Sequence, residues 1–210
     1  MTPLEISLIA LTLLFGFYMA WNIGANDVAN AMGTSVGSRA LTLKQAVVLA
    51  AVFEFLGAFI VGSKVSETVR KKIFDPEALL DVYNAADFGD NYAAMVLACG
   101  MIASLLAAGT WLMFASYFGF PVSTTHSIVG AVVGFGCVAL GPGLVEWGTV
   151  GTITSGWVMS PLLSGAVAYV VFRIILHTVF YKKRPVEAAK KVTPYLVFVV
   201  LVVLIGVVAF

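Results

Sequence analysis

The chain has 210 residues, 60% of them hydrophobic and 11% charged, with a mean hydropathy of +1.00. Soluble domains carry about 25% charged residues, so a soluble enzyme or binding module is excluded and a polytopic membrane protein remains. The formal net charge of +1 gives no basis for binding nucleic acid, because the charges gather in a few loops.

A transmembrane helix takes about 20 apolar residues. In chain order the candidate spans are Leu4–Trp21, Leu41–Gly62, Asn91–Tyr117, Ser127–Val145, Trp157–Leu176 and Pro194–Phe210. The first run lacks a basic leader and an obvious cleavage site, so it reads as a retained span rather than a signal peptide. Segment 63–90 mixes Lys64, Glu67, Arg70, Lys71, Lys72, Asp75, Glu77, Asp81, Asp87 and Asp90 with Pro76. It predicts an extramembrane loop with a short helix in it. Segment 181–193 sets Lys182, Lys183, Arg184, Lys190 and Lys191 against Glu187 alone and predicts a basic loop. Cys99 and Cys137 lie in apolar runs and read as packing residues, not as a disulfide. Barrel-type alternation is absent. The expected fold class is an all-α polytopic membrane protein of about six transmembrane helices, with residues 1–210 as a single transmembrane domain.

Basic residues in short loops mark the cytoplasmic side. That rule puts 181–193 in the cytoplasm, and five preceding spans then put the amino terminus outside. The loop with Arg39 and Lys44 falls inside, in agreement, whereas Lys64, Arg70, Lys71 and Lys72 in the outer loop run against the rule. The expected location is the plasma (inner) membrane.

Three polar constellations interrupt the apolar sequence. The first follows Trp21: Asn22, then Gly24-Ala25-Asn26-Asp27-Val28-Ala29-Asn30-Ala31 and Met32-Gly33-Thr34-Ser35-Val36-Gly37. Hydrocarbon does not solvate such groups, so they face protein, water or a ligand. One carboxylate, several amides and backbone carbonyls freed by a broken helix make an oxygen set for a hard cation. Asn22, Asn26, Asp27 and Asn30 are the candidate coupling-ion residues. The blander reading is close helix packing at Gly24 and Gly33 with Asp27 as a helix cap, but capping accounts for one Asp and not for three amides beside it.

The second constellation is Phe118-Gly119-Phe120-Pro121-Val122-Ser123-Thr124-Thr125-His126-Ser127. Gly119 and Pro121 predict a turn into a helix start. Free N–H groups, the positive end of the helix dipole and neighbouring hydroxyls form an anion site without Lys or Arg, suited to an anion that must be released again. The alternative is that Ser and Thr merely cap the helix. His126 is equally a buried, hydrogen-bonded histidine or a proton carrier. The third is Glu54, mid-span in Ala50–Gly57, a carboxylate placed where charge is costly. Its partner is His126, a cation or a proton; the alternative is a protonated Glu bonded to a backbone carbonyl.

Gly24–Thr42 (GANDVANAMGTSVGSRALT), Phe53–Ala58 (FEFLGA) and Pro121–Gly134 (PVSTTHSIVGAVVG) together resemble the PiT family of inorganic phosphate transporters. The resemblance implies an inverted-repeat fold with broken or re-entrant segments, each half carrying one copy of both motifs around a central site. It implies that Asp27, Asn26 and Asn30 bind the coupling cation, sodium if the protein is sodium-coupled, and that Ser123, Thr124 and Thr125 contact phosphate. Glu54 and His126 then lie in or beside the pathway. No cofactor is implied beyond sodium or a proton as coupling ion. This chain holds one copy of each motif, so it is expected to be one half of the fold. The second repeat comes from a longer chain, a partner chain or, against the bias of the basic loop, an antiparallel homodimer. Three rival readings remain: a sulfate or other oxyanion transporter on the same fold, a membrane hydrolase using Ser123 and His126, and an assembly subunit that transports nothing.

Overall fold

The computed structural model describes residues 2–72, 82–83 and 92–209. Its elements are helical throughout, and they gather into two compact units, Met1–Thr149 and Val150–Phe210, where the sequence predicts a single transmembrane domain.

In the first unit, α1 spans Pro3–Gly37. Thr2 and Glu5 form a reciprocal capping box at its start, with Pro3 at the first helical position. The helix runs through the polar motif without a break, which corrects the expectation of a broken helix there. Ala25, Ala29, Ala31 and Met32 favour helix, and the amide side chains find partners without opening the backbone ladder. The end of α1 is a Schellman turn: Ala40 N–H donates to Ser35 O at 3.0 Å and Arg39 N–H to Val36 O at 3.0 Å. Arg39 occupies the left-handed position, φ 61°.

Helix α2, Leu43–Lys72, opens on a second capping box. Thr42 Oγ1 accepts from Gln45 N–H at 3.4 Å and Thr42 N–H donates to Gln45 Oε1 at 3.0 Å. The helix passes the expected end at Gly62, so the start of the 63–90 segment is helical; the remainder of that loop, residues 82–83 apart, lies outside the described residues.

Helix α3, Tyr92–Phe118, packs against α1 and against α4, Thr124–Ala139. Its buried face is built from small residues, among them Ala93, Gly100, Ser104, Ala108, Gly109 and Ala115. Between membrane helices, where apolar surface alone gives no preference over lipid, such residues allow close contact. At Gly109 a β-carbon would stand 3.2 Å from Cα of Met19, so α1 and α3 touch backbone to backbone. Ser104 Oγ lies 2.9 Å from Gly100 O within α3 and 3.3 Å from Ala131 O on α4.

A second Schellman turn ends α3. Phe120 N–H donates to Ala115 O at 2.7 Å and Gly119 N–H to Ser116 O at 3.2 Å, with Gly119 at φ 70°. Pro121 follows, and Ser123 caps α4. This is the break in the membrane-embedded chain, and it falls at the second motif. With 16 residues α4 is about 24 Å long, short of the ~30 Å hydrocarbon layer. The full span expected over Ser127–Val145 is therefore corrected: Gly141 (φ 82°) and Pro142 turn the chain into a short 3-10 segment, Pro142–Leu144. Among the described residues, five helices are long and apolar enough to cross a membrane, with α4 as a shorter sixth.

The second unit, which begins at Val150 within α5 (Trp147–Ile175), continues through a π-helical turn over Leu176–Phe180 to α6, Pro185–Ala209. Both begin earlier than the apolar runs at Trp157 and Pro194 suggest. The expected basic loop 181–193 is helical from Pro185 onward, leaving 181–184 as the connection. The apolar windows of both helices have no buried residue, as suits surfaces facing lipid.

Candidate ion and anion site

Residues 22, 26 and 30 recur every four positions, which places them along one face of α1. Asn22 and Asn26 are buried. Asn22 Nδ2 donates to Tyr18 O, one turn back, at 2.8 Å. Asn26 is the junction of the face: its Oδ1 accepts from Asn30 Nδ2 at 2.9 Å, while its Nδ2 makes long contacts with Ser116 Oγ at 3.4 Å and Phe120 O at 3.5 Å. Thus α1 supplies side-chain oxygens, and the freed backbone carbonyl beside them belongs to Phe120, in the break after α3. Sequence reasoning assigned those carbonyls to α1 and passed over Ser116 and Phe120. The signal was Gly119 followed by Pro121, which marks the helix end where carbonyls go unpaired.

Asp27 reaches the same break from α1. Thr124 Oγ1, in the first turn of α4, donates to Asp27 Oδ1 at 2.8 Å. The first and second sequence motifs are therefore joined by a charge-assisted hydrogen bond. Among the described residues, no three His, Cys, Asp or Glu side chains come together. A cation here would rest on one carboxylate and neutral oxygens, a set matched to a hard ion of low charge.

Ser123 caps α4, its Oγ accepting from the backbone N–H of His126 at 3.4 Å, and Ser127 Oγ donates back to Ser123 O at 2.9 Å. Among the described residues the Ser123 hydroxyl hydrogen has no acceptor. Ser123, His126 and Ser127 line a recess of about 400 Å³ with Trp111, Pro121 and Val122. Thr125 is exposed in the same turn. The three expected phosphate contacts thus diverge: Thr124 turns to Asp27, Ser123 to the recess, and Thr125 outward.

Glu54 is exposed on α2 and lines a groove of about 780 Å³ between α1 and α2, opposite Gly24, Ala25 and Val28. His126 lines the recess at the start of α4, and Glu54 the groove between α1 and α2.

A family model described as the phosphate transporter family matches residues 23–209. The chain belongs to this family. It is 52% identical over 188 residues to inorganic phosphate transporter 2-1, chloroplastic, of Arabidopsis thaliana, a match covering 90% of this chain and 30% of the relative. Its fold matches a solved structure described as the sodium-dependent phosphate transporter, with a TM-score of 0.72 and 40% identity, over 87% of this chain and 42% of that one. The chain therefore spans less than half the length of these relatives. Both the family and these relatives are named for phosphate transport rather than for an enzyme, so the hydrolase reading of Ser123 and His126 lapses.

Proposed function

We propose that this chain supplies one repeat of a cation-coupled inorganic phosphate symporter that works by alternating access. The observation that carries this reading is the Thr124–Asp27 hydrogen bond, which ties the cation motif to the anion motif. Asp27 with Asn26 and Asn30 holds the cation, with Asn22 buried behind them, and the start of α4 at Ser123, Thr124 and Thr125 receives phosphate. The sodium dependence named for the structural neighbour favours sodium over a proton.

Electrostatics requires the coupling. Near neutral pH a phosphate group carries between one and two negative charges. Moving each into a negative interior costs about 2.3 kcal/mol per 100 mV. Neutral hydroxyls and a helix dipole bind the anion but do not drive it, so cations must accompany it. Rocking of one repeat against the other then opens the site to alternate sides.

The second repeat is required because the α1–α2 groove leaves the Glu54 carboxylate uncovered. Lipid does not satisfy such groups. The amino terminus lies outside the plasma (inner) membrane and the basic segment in the cytoplasm, an orientation that has α4 complete a crossing. Thiol labelling of Glu5→Cys and Lys183→Cys from opposite sides supports it; labelling from one side makes α4 re-entrant.

The deciding experiment is phosphate uptake by the chain in proteoliposomes under imposed sodium or proton gradients. Uptake driven by one gradient and lost in Asp27→Asn supports the reading and names the ion. Uptake indifferent to both gradients overturns it. Uptake that appears only when a second repeat is co-reconstituted assigns that repeat to another chain.

A further inference from the structure

The symport reading leaves unused a basic cleft in the second unit. The last turn of α5 and the first turns of α6 enclose about 450 Å³, lined by Lys182, Lys183, Arg184, Glu187 and Lys191. Four cations thus meet one carboxylate. Arg184 Nη1 pairs with Glu187 Oε1 at 3.3 Å, which leaves the three lysines without a carboxylate in the cleft. Stabilising the carboxyl end of a helix takes roughly half a unit charge. The surplus is well beyond that need, and an anion is the matching ligand.

Depth identifies the kind of anion. The cleft joins the ends of two apolar helices, Trp147–Phe180 and Pro185–Gly206, with hydropathies of 1.8 and 2.0. Phe180 and Tyr181 stand beside it, 61% and 66% exposed, in the manner of aromatic residues at a membrane–water boundary. Lipid phosphates occupy that level. The π-helical turn at Leu176–Phe180 shapes the α5 wall of the cleft. Lysine ammoniums bind phosphate as point charges and tolerate varied headgroups. We propose that this cleft binds the phosphate group of an anionic phospholipid. Inorganic phosphate shares the chemistry, and the test separates the two sources.

The purified chain in neutral detergent is titrated with phosphatidylglycerol or phosphatidylcholine, and retained lipid is counted by native mass spectrometry. Phosphatidylglycerol is retained selectively. Lys182→Gln/Lys183→Gln/Lys191→Gln lowers that retention about a hundredfold, since each basic residue near an anionic surface contributes roughly fivefold. Because these charges also help set topology, a second measurement starts from correctly inserted protein. Acetic anhydride treatment removes retention from the unmodified chain and spares Lys182→Arg/Lys183→Arg/Lys191→Arg, whose guanidiniums do not react. Equal retention of both lipids, retention unchanged in the glutamine variant, or loss on acetylation of the arginine variant overturns the proposal. Displacement of the lipid by millimolar inorganic phosphate also overturns it, and assigns the cleft to the free anion.

Discussion

Gly100 of α3 lies directly against the ring of Phe135 on α4: a β-carbon at position 100 would overlap that ring. The short helix that begins at Ser123 therefore meets α3 at a contact where an added methyl forces the Phe135 ring to shift. Gly100→Ala is expected to destabilise the protein by about 1–3 kcal/mol through overpacking. Phe135→Leu in the same molecule should recover most of that loss. Denaturant unfolding of the two single variants and the double variant measures the coupling, and additive effects would show that the ring moves aside freely.

Asp27 and Thr124 make a separable prediction. Thr124→Val keeps the shape and removes the donor; a hydrogen bond to a charged group worth about 2 kcal/mol then no longer has to be given up when a cation takes Asp27, and cation affinity should rise by up to roughly thirtyfold. Thr124→Ser keeps the donor and should stay near the parent. Asp27→Asn should abolish cation dependence altogether. Half-saturation for sodium in phosphate uptake, measured on the assembled transporter, reports all three, and an unchanged value in Thr124→Val would remove the bond from the coupling.

Ser123 holds a structural and a proposed binding role that two substitutions divide. Ser123→Ala loses the cap, costing about 1 kcal/mol of stability, and weakens phosphate binding. Aspartate caps as well as serine does, so Ser123→Asp should keep the stability while its charge expels phosphate. Thermal unfolding and phosphate affinity are read together. A Ser123→Asp variant that binds phosphate normally would place the anion elsewhere.

Arg39 sits in a left-handed conformation, φ 61°, that costs an L-residue with a side chain about 1–2 kcal/mol. Arg39→Gly should therefore stabilise the protein by about 1 kcal/mol, seen as a raised unfolding midpoint in detergent. A lower midpoint would mean that the arginine side chain itself holds the turn.

Much of the helical order was legible in the sequence. Apolar run length located the helices. Gly119-Phe120-Pro121 marked the break because glycine accepts positive φ and proline lacks an N–H. The continuity of α1 was not legible: the side chains of Asn26 and Asn30 find partners in each other and in Phe120 O, and Asn22 bonds Tyr18 O one turn back without opening the helix. Nor was the helical start of α6, where charge density masked the helix-forming Glu187, Ala188, Ala189, Lys190 and Lys191. The meeting of Asp27 with Thr124 depends on how α3 folds back against α1, which no local pattern encodes.

A threonine hydroxyl has a single hydrogen to give, and at Thr124 the Asp27 carboxylate takes it. A phosphate oxygen arriving there meets only lone pairs, beside an uncompensated negative charge. On the proposed assignment, a cation seated on Asp27 cancels that charge and lets the hydroxyl rotate toward the anion. Loading then has an order, cation first and phosphate second, and by reciprocity phosphate must tighten the hold on the cation by the same factor. On that assignment phosphate arriving without a cation lacks the Thr124 donor, and one shared hydrogen links the two ligands.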